Sequence, residues 1–212
     1  MSVVDAQVVL DGERIVPVYT PASVAEAVAV ATALRRGGIG AIEVTLRTPV
    51  ALAAIAAIAE AVPDIAVGAG TVLDAEQLRA VQHAGATFAV SPGCTPELLQ
   101  AGRDAALAYL PGVATGSEVM AALAAGYRLL KLFPAEPINA LALLSAWRGP
   151  FAQVRFCPTG GIDATRARDY LRQPNVACLG GSWLTPADAL AQGDWGRIET
   201  LAREAVATLG AG

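Results

Sequence analysis

Short runs rich in Val, Ile and Leu alternate along this chain with Ala-rich stretches of helical spacing, and this alternation constrains the fold more than any other feature. Strand signals fall at residues 14–18, 39–44, 65–67, 87–90, 108–110, 128–132, 154–156 and 176–179. Between them the spacing predicts helices. The first starts near Pro21, carries Val24, Val28, Ala31 and Leu34 on one face, and stops at Gly37 and Gly38. The second covers about 49–61, with Leu52, Ile55, Ile58 and Val62 in one stripe and Pro63 as its stop. Further helices are read at 74–83, 97–104, 117–125, 141–147 and 165–172, and a last one at about 195–209. Similar helix-ending punctuation, RRGGIG, QHAGAT and AAGYRL, precedes three of the strands. A strand–helix repeat of this kind builds a parallel sheet. Eight strand signals favour closure into a (β/α)8 barrel. An open doubly wound sheet is the competing arrangement, and no G-x-G-x-x-G follows the first strand to support it. No linker or low-complexity stretch divides the chain, so residues 1–212 are expected to form one domain.

Composition removes several function classes. With 54% apolar but only 5% aromatic residues, the core must be built from Ala, Val, Leu and Ile. The balance of 15 Lys+Arg against 19 Asp+Glu, with no basic stripe, argues against a nucleic-acid partner. No uncharged apolar run is long enough for a membrane span. The start, MSVVDAQVVLDGER, has early acids and no basic leader region, so no signal peptide is expected and the cytoplasm is the expected location. Cys94, Cys157 and Cys178 are far apart and form no C-x-x-C pair, which fits small buried side chains better than a disulfide frame or a zinc site. The single histidine, His83, sits at a helix end just before Gly85, where a cation suits the helix dipole. No metal or other cofactor is expected.

In a barrel of this type, chemistry collects just beyond the C-terminal ends of the strands. Those positions hold Glu43, Thr45 and Arg47 after the second strand, Thr71 closing G-A-G-T after the third, and Ser91–Pro92–Gly93 after the fourth. They continue with Lys131, Phe133 and Pro134 at the sixth, Thr159–Gly160–Gly161 after the seventh, and Gly180–Gly181–Ser182 after the eighth. Lys131 is the only lysine in the chain; every other basic residue is an arginine. Alternation puts it on one side of its strand with Leu129, opposite Leu130 and Leu132. A lysine facing a barrel interior is desolvated, and its neutral amine can condense with a ketone. The same residue also fits a snorkelling side chain or the partner of a barrel carboxylate. Glu43, within the apolar run AIEVTL, is placed for proton transfer or for a buried ion pair. Arg47 offers a planar fork for a carboxylate. The two glycine pairs expose backbone N–H groups where such barrels hold phosphate. An amine, a proton shuttle, a carboxylate clamp and a phosphate cradle together describe a phosphorylated keto acid reacting through an imine.

Six segments, IEVTLRTP, VGAGTVL, FAVSPG, KLFPAE, VRFCPTGGI and LGGSWLTPADAL, make the sequence resemble the 2-keto-3-deoxy-6-phosphogluconate (KDPG) and 4-hydroxy-2-oxoglutarate (KHG) aldolases from about residue 14 to 207. The resemblance implies a (β/α)8 barrel, a metal-free class I aldolase and a homotrimer. It implies a Schiff base on Lys131, acid–base work by Glu43 and substrate carboxylate binding by Arg47. Thr71, Pro92 and Phe133 would border the pyruvate moiety, and Thr159 the sugar chain. Gly160, Gly161, Gly181 and Ser182 would hold the phosphate. CPTGGI and the LRT arginine favour the gluconate-derived substrate over its galactonate epimer. The chain departs from the resemblance at VYTPAS after the first strand, which is more polar than usual. Other readings are 4-hydroxy-2-oxoglutarate or the epimer as main substrate, a non-catalytic phosphate-ligand binder, and an assembly subunit built on the barrel. The all-round apolar ALAAIAAIAEAV reads as a helix buried between barrel and neighbours or as an intersubunit face.

Overall fold

A computed structural model describes residues 6–209. The elements run, in chain order, α1 (Ala6–Val9), β1 (Ile15–Tyr19), α2 (Val24–Arg36), β2 (Ala41–Thr45), α3 (Ala51–Ala61), β3 (Ala66–Gly70), α4 (Ala75–His83), β4 (Phe88–Val90), α5 (Pro96–Asp104), β5 (Ala108–Leu110) and β6 (Gly112–Val113). They continue with α6 (Gly116–Ala124), β7 (Leu129–Leu132), α7 (Ala140–Trp147), β8 (Arg155–Pro158), α8 (Ala164–Leu171), β9 (Leu179–Gly181), α9 (Ala187–Gln192) and α10 (Trp195–Leu209). Six of the helices start on a side-chain cap: Ser23, Asp74, Thr95, Thr115, Asp163 and Asp194 each accept from a backbone N–H one turn on. His83 ends α4 and lies 2.7 Å from the Arg79 carbonyl through Nδ1.

All strand pairings are parallel, and every neighbouring pair is separated by a helical crossover, apart from the short step between β5 and β6. One sheet has six strands in the order β5-β4-β3-β2-β1-β9, and a second has three in the order β6-β7-β8. The expected single eight-strand ladder is therefore interrupted. One break falls at Pro111, between β5 and β6, where proline has no N–H to donate. Its carbonyl still accepts from the Lys131 amide at 2.9 Å. The other lies between β8 and β9, which are joined only by the single bridges Phe156–Val176 and Thr159–Gly180.

Alternation along the strands separates two apolar clusters. Leu130 and Leu132 join the larger cluster, where the sheets meet the helices. Leu129 joins the smaller one on the opposite face, with Val16, Phe88, Val90, Leu110, Cys157 and Cys178, closed off by Ala6 and Leu10 from the α1 region. The Cys178 thiol is held well above its ordinary range, first by its hydrogen bond with Cys157 and then by burial, so it behaves as a packing group. In α3 the buried stripe is Ala51, Ala54, Ile55 and Ile58, and Leu52 is exposed. Of the expected stripe, Ile55, Ile58 and Val62 are buried and Leu52 alone is not, because a helix this apolar on every side leaves its edge positions undecided by pattern. Among the described residues no helix is long and apolar enough to cross a membrane.

Candidate active site

Glu43 and Lys131 lie 88 residues apart in the chain, yet their side chains meet. Glu43 sits in the middle of β2, opposite Val18 on β1 and Gly68 on β3. Lys131 sits on β7, opposite Gly112 on β6 and Cys157 on β8. Lys131 Nζ donates to Glu43 Oε1 at 3.0 Å and approaches Oε2 at 3.4 Å. Glu43 is 3% exposed and Lys131 5%, so each offsets part of the other's burial cost. A Cβ on Gly70 would lie 2.2 Å from Glu43 Oε1, so the bare glycine at the end of β3 makes room for the carboxylate. The Lys131 amine also sits 5.3 Å from the centre of the Phe133 ring.

The pair forms the floor of a cavity of about 470 Å³. Every residue to which the resemblance gives a role lines it: Glu43, Arg47, Thr71, Pro92, Lys131, Phe133, Thr159, Gly160, Gly161, Gly181 and Ser182; of the other strand-end positions, Thr45, Ser91, Gly93, Pro134 and Gly180 do not. Arg47 is exposed at the rim and forms no ion pair with the described residues, which leaves its guanidinium open to an incoming anion. Thr71 follows β3 with φ +62°, a left-handed backbone that strains a β-branched residue, and this strain falls at the cavity wall. Beneath Pro92, the fully buried Ser91 hydroxyl contacts the Tyr109 hydroxyl at 2.6 Å and accepts from the Gly112 amide at 3.2 Å, which ties the SPG segment to β6. Thr159 is 5% exposed and donates to the Cys157 carbonyl at 3.3 Å.

Gly160 and Gly161 turn the chain after β8 with φ +105° and +81°, values that favour glycine at both positions. α8 begins three residues after this turn, and free amides at its N-terminus would also suit an anion. The amides of Thr165 and Arg166 at the start of α8 are instead taken by Asp163, each at 3.0 Å. These two α8 amides are therefore not free to meet an anion. The Thr165 hydroxyl, followed by the Arg166 amide, holds the Asp163 carboxyl below its ordinary range.

Sequence reasoning missed Val18, Thr20, Ile162, Asp163 and Trp183, which also line the cavity. Thr20 was within reach, because it follows β1 as Arg47 follows β2, and the strand-end rule was applied only from the second strand onward. Its hydroxyl meets that of the buried Thr45 at 2.7 Å. Among the described residues no group of three or more His, Cys, Asp or Glu could hold a metal ion.

This chain belongs to the KDPG and KHG aldolase family, which it matches over residues 6–201. It is 50% identical over 201 residues to the KHG/KDPG aldolase of Escherichia coli strain K12, spanning 95% of this chain and 94% of that protein. Its fold is close to that of KDPG aldolase from Legionella pneumophila, a structure with pyruvate captured at low pH as a covalent carbinolamine. There the TM-score is 0.90 and the identity 44%, over 92% of this chain and 95% of that one. It is equally close to the KDPG aldolase of Zymomonas mobilis ZM4 with 3-phosphoglycerate. The TM-score is 0.91 and the identity 45%, over 96% of each chain.

Proposed function

We propose that this chain is a class I aldolase that reversibly cleaves 2-dehydro-3-deoxy-6-phosphogluconate to pyruvate and D-glyceraldehyde 3-phosphate. The observation that carries this reading is the buried contact between Lys131 Nζ and Glu43 Oε1 at 3.0 Å, on the floor of a cavity that has glycine turns in its wall. The carbinolamine captured in the Legionella aldolase supports the same chemistry.

The cycle begins with proton transfer from the Lys131 ammonium to Glu43, which frees the amine. The amine adds to the C2 carbonyl, and Glu43 returns the proton so that the carbinolamine oxygen leaves as water. The resulting iminium is the electron sink, so no cofactor is required. Glu43, again a carboxylate after the dehydration, takes the C4 hydroxyl proton, which turns C4–O into a carbonyl and breaks C3–C4. That electron pair moves into the iminium, and the aldehyde departs. Protonation of the enamine at C3 and hydrolysis of the imine release pyruvate and restore Lys131. Arg47 pairs with the C1 carboxylate, with Thr71, Pro92 and Phe133 around the pyruvate portion and Thr159 along the chain. Gly160, Gly161, Gly181 and Ser182 hold the phosphate.

β5 and β6 read as one strand notched at Pro111, and the two bridges from β8 to β9 read as the seam of a closed (β/α)8 barrel in a single domain, assembled as a homotrimer. Substrate comparison tests the reaction. The phosphorylated gluconate derivative should give a kcat/KM above those of its galactonate epimer and 4-hydroxy-2-oxoglutarate by at least about tenfold, the discrimination expected when a built contact goes unused. A higher value for either competitor overturns the substrate assignment.

Gly70→Ala is expected to lower kcat by about 10- to 100-fold, because a misplaced catalytic group loses its alignment. The methyl would occupy the space of the Glu43 carboxylate. Steady-state kinetics beside a thermal melt checks this; unchanged kcat in a folded variant would show that Glu43 needs no fixed position.

A further inference from the structure

Glu136 ends the KLFPAE segment and is not among the residues lining the cavity. Its surroundings nevertheless connect it to the glycine turn. The Ala135 amide donates to the Thr159 carbonyl at 2.8 Å, and the Glu136 amide to the Gly160 carbonyl at 3.0 Å. The turn after β8 is thus zipped, residue by residue, to the segment after β7. On one side of it, a Cβ at Gly160 would come 3.2 Å from the Phe133 ring. On the other, a Cβ at Gly161 would come 2.8 Å from Glu136 Cβ. The turn is held between these two side chains.

The Glu136 carboxylate then reaches α8. Oε1 accepts from the Tyr170 hydroxyl at 2.5 Å, and Oε2 faces Arg166 Nη1 at 3.4 Å. Arg166 and Tyr170 are one turn apart on the same face of α8. The segment 159–166 is thus held at both ends: at its start by the backbone pairing with residues 135 and 136, and at its end by the Glu136 side chain through the helix that follows. The two contacts differ in weight. The Arg166 pair is 43% and 27% exposed and is screened by solvent, whereas Tyr170 is 1% exposed. The Tyr170 hydrogen bond is the contact whose loss leaves a polar group stranded in the interior.

We propose that Glu136 is a positioning residue that holds the Gly160–Gly161 turn in the conformation that receives the substrate's phosphate, acting through Tyr170, and that it takes no part in the imine chemistry. This rests on the reading of that turn as the phosphate cradle. Its amides can converge on an anion only while both glycines keep their positive φ, and the Glu136 brace opposes their relaxation.

The test compares two substrates in the full-length enzyme. In Glu136→Ala, KM for the phosphorylated keto acid should rise about tenfold, the effect of a binding group displaced by part of an ångström. The kcat/KM for unphosphorylated 4-hydroxy-2-oxoglutarate and the rate of pyruvate trapping by borohydride should stay within about twofold, since neither uses the cradle. Tyr170→Phe, which removes one oxygen atom, should move the phosphorylated KM in the same direction and covers the case in which Glu136→Ala folds poorly. Glu136→Gln keeps an acceptor for Tyr170 and should restore most of the affinity. Equal losses on both substrates, or an unchanged KM in both Glu136→Ala and Tyr170→Phe, overturn the proposal. If the wild-type enzyme itself gains nothing from the phosphate group, the cradle reading fails before the variants are measured.

Discussion

Lys131→Ala should lower turnover by at least about 10⁴-fold, the scale seen when a covalent catalyst loses its nucleophile. The chain has no second lysine to take over. The substitution also leaves Glu43, 3% exposed, without its partner. Stranding one member of a buried pair costs about 3–5 kcal/mol, so lost activity could be mistaken for lost fold. Urea unfolding of the variant separates the two. Lys131→Met keeps most of the side-chain volume and gives a second measure. A folded Lys131→Ala protein with turnover within about tenfold of wild type would remove the imine from the mechanism.

Glu43→Gln is the second large effect. Glutamine keeps the shape of the side chain and an oxygen that can accept from Lys131 Nζ, but it cannot carry a proton between steps. The expected loss in kcat is about 10²–10⁴-fold, the usual range for a positioned acid–base group. The same group would serve the partial reaction in which enamine and imine interconvert. Exchange of pyruvate methyl protons with deuterated water, followed by NMR, should therefore slow in proportion. Normal exchange with slow cleavage would confine Glu43 to the C3–C4 bond-breaking step. Normal rates for both would leave it with a structural role only.

The parallel strand–helix order was legible because the strands are short apolar runs with glycine punctuation, as in RRGGIG before β2 and QHAGAT before β4. What escaped was short or lacked a pattern. The segments α1, of four residues, and α9, of six, are too brief to show helical periodicity. The two-residue β6 lies beyond Pro111, and the proline that marks the end of β5 concealed the continuation. Leu52 could not be assigned to a face, because in a helix made of Ala, Ile and Leu the packing neighbours choose which side is buried.

The positions in the site were legible for a related reason. In parallel strands, one rule about strand ends and one about alternation place Glu43, Lys131 and the glycine turns on the same rim and face. Neither rule gives the distance between Glu43 and Lys131, which depends on the curl of the sheets and on the missing side chain at Gly70. Nor could the sequence show that Asp163 would occupy the first amides of α8, since an acid before a helix reads equally as a cap and as a cavity residue. Glu136 was visible inside KLFPAE, but its role depends on Tyr170 and Arg166, which lie far along the chain.

Borohydride reduction of the wild-type enzyme in the presence of pyruvate, followed by peptide mapping in a mass spectrometer, tests the central claim most directly. With one lysine in the sequence, the only amines available to form an adduct are Lys131 and the N-terminal amino group. A reduced pyruvyl adduct on the peptide that contains Lys131 is the predicted result. An unlabelled Lys131, or an adduct confined to the N-terminus, would contradict the account.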